Sequence, residues 1–72
     1  MLDEINQKVE ADVSRDETER ADLLLDVEAV RVQLIRSTPN KVVILALLES
    51  LAECEQVTAE SRQMIAMVTS SL

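Results

Sequence analysis

Seventy-two residues make room for one small domain. At this length a core rarely contributes more than about 3–5 kcal/mol, so such folds usually lean on a disulfide, a metal or a partner. One cysteine excludes an internal disulfide and the absence of His removes the usual zinc spacings, so a partner is the staple that remains, either a second copy or another protein.

A net charge of −7 without one aromatic residue argues against nucleic acid, which asks for basic patches and stacking rings, and against an anionic membrane. The opening Met1-Leu2-Asp3-Glu4 lacks the basic start of a signal peptide, and the longest apolar run, Val42 to Leu48, is too short to span a bilayer. The expected location is the cytoplasm. The chain holds no Gly, a single Pro and 47% hydrophobic residues drawn mainly from Leu, Ala, Val, Ile and Met. Tight glycine turns are therefore disfavoured and sheet-building aromatics are missing, while Leu, Ala, Glu, Gln, Arg and Met favour helix. The expected fold class is all-α.

In chain order, the first element is a helix over about residues 2–36. It carries ten of the fourteen acids and ends at Arg36, a cation well placed at a helix C-terminus. A turn at residues 37–39 follows, marked by Ser37-Thr38-Pro39, because proline suits a first helical turn and Ser or Thr before it can cap. The second helix then runs over about 39–70. So short a connection predicts antiparallel packing, an all-α two-helix hairpin of coiled-coil type.

Heptad spacing supports the same hairpin. Forward from the turn, Ile44, Leu47, Leu51, Cys54, Thr58, Ser61, Ile65, Val68 and Leu72 alternate by three and four. Backward, Leu34, Val30, Val27, Leu23, Arg20, Asp16, Val13, Val9, Asn6 and Leu2 do the same. Both stripes are polar in the middle, so folding at the turn sets Arg20 and Asp16 opposite Thr58 and Ser61. The seam proper is Leu23, Val27, Val30, Leu34, Ile44, Leu47, Leu51, Cys54, Ile65 and Val68. Two places allow a break. Ser14 with Glu17, or Asp16 with Glu19, reads as a helix start, which predicts a kink near Ser14–Asp16, and Thr58 can cap a separate last helix through the amides after it. Breaks at both would turn the hairpin into a bundle of three or four shorter helices.

The seams leave apolar residues unused: Leu24, Leu25, Ala29, Val32 and Ile35 in the first helix, and Val42, Val43, Leu45, Leu48, Ala52, Met64 and Met67 in the second. Two helices bury one stripe each, and apolar surface beyond that marks an interaction site. Leu24, Ile35, Leu45, Leu48 and Ala52 are the expected partner-binding residues. Catalytic, cofactor and metal residues are not expected. Glu49/Glu53 and Asp22/Asp26 read as solvated surface, and Glu4–Lys8 and Asp16–Arg20 as i,i+4 pairs worth a few tenths of a kcal/mol. Cys54, flanked by Glu53 and Glu55 and without a basic neighbour in sequence, reads as a small core residue rather than a nucleophile. Met64 and Met67 fit either core filling or adaptable contacts.

Two stretches, Leu23-Leu24-Leu25-Asp26-Val27-Glu28-Ala29-Val30-Arg31-Val32-Gln33-Leu34 and Leu47-Leu48-Glu49-Ser50-Leu51-Ala52-Glu53-Cys54-Glu55-Gln56-Val57, resemble the small co-chaperones of type III secretion needle proteins, the YscE/PscE/SsaE type. The chain departs from that family in having no aromatic residue in its second half. The resemblance implies a two-helix hairpin that binds a tetratricopeptide-like chaperone in the bacterial cytosol and, through it, the needle subunit, which is kept soluble before export. Needle subunits self-assemble head to tail, so a blocked surface keeps them from forming filaments. Other classes remain open: a homo-oligomerising helical module, including a homodimer of the free chain, and an acidic phage-type inhibitor or antitoxin that imitates nucleic acid.

Overall fold

The computed structural model describes residues 1–71, and Leu72, the last position of the forward heptad stripe, lies outside them. Four α-helices account for three quarters of the chain: α1 (Leu2–Ala11), α2 (Glu17–Leu34), α3 (Lys41–Ala52) and α4 (Thr58–Ser71), with a 3₁₀ turn at Glu55–Val57 ahead of α4. The all-helical class holds. The hairpin of two long helices does not, because each long helix is broken once.

The first break is built from short polar side chains that replace helical backbone bonds with their own. Asp12 leaves α1 in an extended conformation, and its Oδ1 accepts from the Ser14 amide at 3.1 Å and from the Ser14 hydroxyl. Asp16, also extended, then caps α2 by accepting from the Glu19 amide at 2.7 Å. Of the two start signals in the sequence, Asp16 with Glu19 is the one used, while Ser14 serves Asp12. At the second break Cys54 is extended, and the Thr58 hydroxyl donates to the carbonyls of Ala52 at 2.6 Å and Cys54 at 2.9 Å. Thr58 thus closes the end of α3 instead of capping the amides that follow it. Between α2 and α3, Asn40 rather than Pro39 starts the next helix, its Oδ1 accepting from the Val43 amide at 3.2 Å.

Cross-helix bonds fix the topology. Arg31 reaches Asp3 at 3.2 Å and Arg20 reaches the Glu10 carbonyl at 3.4 Å, so α1 and α2 are antiparallel. The Asn40 amide donates to Gln33 Oε1 at 3.3 Å, joining the end of α2 to the start of α3, and Lys41 donates to the Thr69 carbonyl at 3.2 Å, joining the start of α3 to the end of α4. Lys8 pairs with Glu60, the end of α1 with the start of α4. The result is an up-down-up-down bundle 35 Å long, in which α3 packs on both α2 and α4, and α1 packs on α2, the 3₁₀ turn and α4. Among the described residues α2 and α4 do not meet. Arg20 and Asp16 therefore do not face Thr58 and Ser61. The breaks fold each half of the chain back on itself, so the two heptad stripes do not run side by side along their length.

The core is Ile5 and Val9 from α1, Val27 and Val30 from α2, Ile44, Leu48 and Leu51 from α3, then Cys54, Val57, Met64 and Val68. Six seam residues are in it: Val27, Val30, Ile44, Leu51, Cys54 and Val68. Leu23, Leu47 and Ile65 pack against its edge half-buried. Leu34 is 38% exposed, because it is the final residue of α2 where the helix runs out. Val13 sits in the first break, 88% exposed. Once the helix stops at Ala11 the heptad phase carried through Val13 no longer applies, and α1 turns Ile5 and Val9, spaced by four, to the core.

Candidate interaction surface

The antiparallel bonds sort the bundle into two unlike ends. One end gathers the start of α1, the end of α2, the start of α3 and the end of α4. Here Val32, Leu34, Ile35, Val42, Val43 and Met67 stand open to solvent, with Ile35 at 79% and Val42 at 77% exposure. Ile35 is exposed because it follows the last turn of α2, and Val42 and Val43 because they stand on faces of α3 away from the buried Ile44, Leu48 and Leu51. Arg31, Arg36 and Lys41 rim this surface. Arg31 is held by Asp3 at 3.2 Å and Glu28 at 3.6 Å, while Arg36 and Lys41 form no ion pair with a carboxylate among the described residues.

The opposite end joins the two breaks and is polar and acidic. Residues 10–19 and 49–60 bring nine of the fourteen acids to it. Lys8, Ala11, Asp12, Val13, Ser14 and Gln56 share one hollow there. Asp12 is buried, and its carboxyl is held below the usual carboxylate range, first by the Ser14 hydroxyl bond, then by the Ser14 amide and the charges of Arg15 and Arg20, against the opposing pull of burial. Arg15 lies 3.4 Å from Asp12 and 3.4 Å from Glu19, and its guanidinium is also set against the buried Cys54 thiol, which raises the Arg15 pKa. Cys54 therefore does have a basic neighbour, supplied by tertiary packing, but its sulfur is closed off from solvent. The Glu60 carboxyl is lowered by its bond from Lys8. Lys8 consequently serves Glu60 rather than Glu4, and Arg20 turns to the Glu10 carbonyl rather than to Asp16.

Of the five residues expected to bind a partner, Ile35 alone is in the open. Leu48 is 0% exposed at the centre of the core, a correction that follows from α3 lying between α2 and α4. A helix with neighbours on both sides buries more than one stripe. Leu24 and Leu45 pack half-buried against the core. Ala52 lines a shallow groove of about 510 Å³ between α3 and α4, together with Glu49, Glu53, Arg62, Ile65 and Ala66. The exposed residues that do form the apolar end, Val32, Val42, Val43 and Met67, all stand in the surplus outside the heptad seams. Val42 and Val43 stand in the first turn of α3, directly after the connection, whereas Met67 lies 28 residues beyond Pro39 and carries no such signal in the sequence. Met64, from the same surplus, is core.

Other chemistry is sparse. Asp26 has a carboxyl pushed up by burial and then by the charge of Asp22, partly offset by Ser50. Among the described residues no group of three or more His, Cys, Asp or Glu converges on one point, and no helix is long and apolar enough to cross a membrane. Comparison with family models, with curated proteins and with solved structures finds no match to this chain.

Proposed function

We propose that this chain is a non-catalytic helical module that binds another protein through its apolar end. The observation that carries the proposal is the surface formed by Val32, Leu34, Ile35, Val42, Val43 and Met67, which the bundle leaves uncovered although its own core is complete. Scattered exposed apolar residues are ordinary, whereas several large ones gathered at one end of a bundle and rimmed by charge are how interaction sites are built.

The specific form of the proposal follows from the resemblance to the needle-protein co-chaperones. In that form the partner is a tetratricopeptide-like chaperone of a type III secretion system in the bacterial cytoplasm. The complex keeps the needle subunit soluble before export. A helical-repeat protein offers a concave surface that suits a convex bundle end. The breaks at Asp12–Asp16 and Glu53–Val57 set this fold apart from a two-helix hairpin, so the proposal rests on the apolar end and not on likeness of fold. The acidic end is a poor imitation of nucleic acid, since Lys8, Arg15 and Arg20 pair with acids or carbonyls within it.

The test is capture from the native cytosol with tagged wild-type chain and with Ile35→Asp, followed by mass spectrometry. Recovery of a helical-repeat protein by the wild type, lost with Ile35→Asp, supports the proposal. Equal recovery by both chains, or no helical-repeat protein with either, overturns it.

A further inference from the structure

We infer that the groove between α2 and α4 is a helix-binding site, which α1 fills as a displaceable intramolecular ligand. Its external ligand is an amphipathic helix of another protein that carries the pattern of α1. That pattern is apolar residues spaced as Leu2, Ile5 and Val9, an acid facing Arg31 and a cation facing Glu60. The inference does not rest on the proposed function, since the exposed Ile35 and Val42 take no part in the groove.

Among the described residues α2 and α4 each pack on α3 and not on each other, so the three helices leave a groove between the outer two. α1 lies in it, meeting α2, the 3₁₀ turn and α4 but not α3. Its inward stripe is Ile5 and Val9, both fully buried, with Leu2 half-buried one turn earlier. This is the i, i+3, i+7 spacing by which amphipathic helices enter grooves. A charge pair on each wall fixes the direction. Asp3 reaches Arg31 of α2 at 3.2 Å near one end, and Lys8 reaches Glu60 of α4 near the other. The groove therefore displays the chemistry of its own occupant.

The contacts that hold α1 are few enough to be exchanged. α1 spans ten residues, below the length at which an isolated helix holds in water. Met1 gives its first turn no side-chain cap, whereas Asp16 and Asn40 cap α2 and α3. Only Ile5 and Val9 are buried along it, and its ion pairs to Arg31 and Glu60 are open to water, where such pairs add little. An element with so few buried contacts belongs to the low-stability end of a fold. By contrast Ile44, Leu48 and Leu51 anchor α3 in the core, and α3 keeps α2 and α4 in place when α1 leaves. A tethered α1 competes at an effective concentration in the millimolar range, so a longer, better capped helix of the same pattern displaces it.

Amide hydrogen exchange of the full chain reads the release of α1. The hydrogen-bonded amides of α1 should exchange at least ~10-fold faster than those of α3. Equal protection would make α1 part of one cooperative unit and overturn the inference. The second arm adds a synthetic peptide of residues 1–12, blocked at both ends, to the chain carrying Ile5→Ser together with Val9→Ser. That chain should keep the circular dichroism of α2, α3 and α4 and bind the peptide, with NMR shifts at Arg31, Val57 and Glu60. Binding should be at least ~10-fold tighter than to the wild type, whose own α1 holds the groove. A peptide with Lys8→Glu should bind about 5-fold more weakly, since it sets like charges together at Glu60. Global unfolding of the substituted chain, no peptide binding to it, binding equal to that of the wild type, or indifference to Lys8→Glu would each overturn the inference. Ile35→Asp, which tests the proposed function, should leave exchange and peptide binding as they are without it, so the two readings fail separately.

Discussion

Leu48 separates the tertiary structure from the sequence pattern most sharply. It is fully buried on α3, which packs closely against both α2 and α4. Leu48→Ala removes three carbon atoms, about 2.4 kcal/mol of transfer free energy at ~0.8 kcal/mol per buried carbon. Incomplete closure of the space between α2 and α4 adds about 1 kcal/mol more, for roughly 3–4 kcal/mol in all. A core of this size supplies only about 3–5 kcal/mol, so the variant should be close to half unfolded at room temperature. Urea titration followed by far-ultraviolet circular dichroism measures it. With a slope of about 1–1.5 kcal/mol per molar, the midpoint should fall by roughly 2–4 M. The matched control is Ile35→Ala, a similar truncation at 79% exposure, which should cost no more than about 0.5 kcal/mol. Equal midpoints for the two variants would show that Leu48 belongs to an outer face, as the surplus in the sequence suggested, and would refute the position of α3 at the centre.

Three further expectations concern polar groups. Ser61 is buried with its hydroxyl unpartnered, so Ser61→Ala should stabilise the fold by about 1 kcal/mol, seen as a thermal midpoint roughly 4–8 °C higher. Asp16→Ala removes the cap of α2 and should cost about 1 kcal/mol in the same melt, whereas Glu17→Gln, one residue on, should be close to neutral. Asp12 and Glu60 have carboxyls held below their unfolded values, so their contribution is present above about pH 4 and is lost as pH falls through the folded values. Acid titration by circular dichroism should show that loss, and Lys8→Met should bring the Glu60 titration, followed by NMR, back up towards its ordinary range.

Much of this protein is legible in its composition. Lacking Gly and aromatics and rich in good helix formers, it can only be helical, and Pro39 marks the middle connection. Heptad spacing also locates most of the central core, since Val27, Val30, Ile44 and Leu51 lie in the helices on either side of that connection, where the phase is undisturbed. What the pattern carries poorly is phase across a break. Asp12, Asp16 and Thr58 each satisfy backbone groups through side-chain bonds, which compete with the helical bonds that the neighbouring residues would otherwise continue. The signals for both breaks are in the sequence, but whether they win depends on what the broken halves can bury.

That balance belongs to the tertiary structure. Folding α1 onto α2 and α4 onto α3 buries Ile5, Val9, Val57 and Met64, more apolar surface than two continuous helices could cover with one stripe each. It also turns Leu48 inward, brings Arg15 against Cys54 from the far side of the chain, and leaves Ile35 and Val42 together at one uncovered end. Local propensity and period, which depend on neighbours in sequence, determined that the chain is helical and which residues are apolar enough to be core. Which of those residues are core and which are surface was decided by the number of helices packed around each one, a quantity that exists only after the chain has folded back.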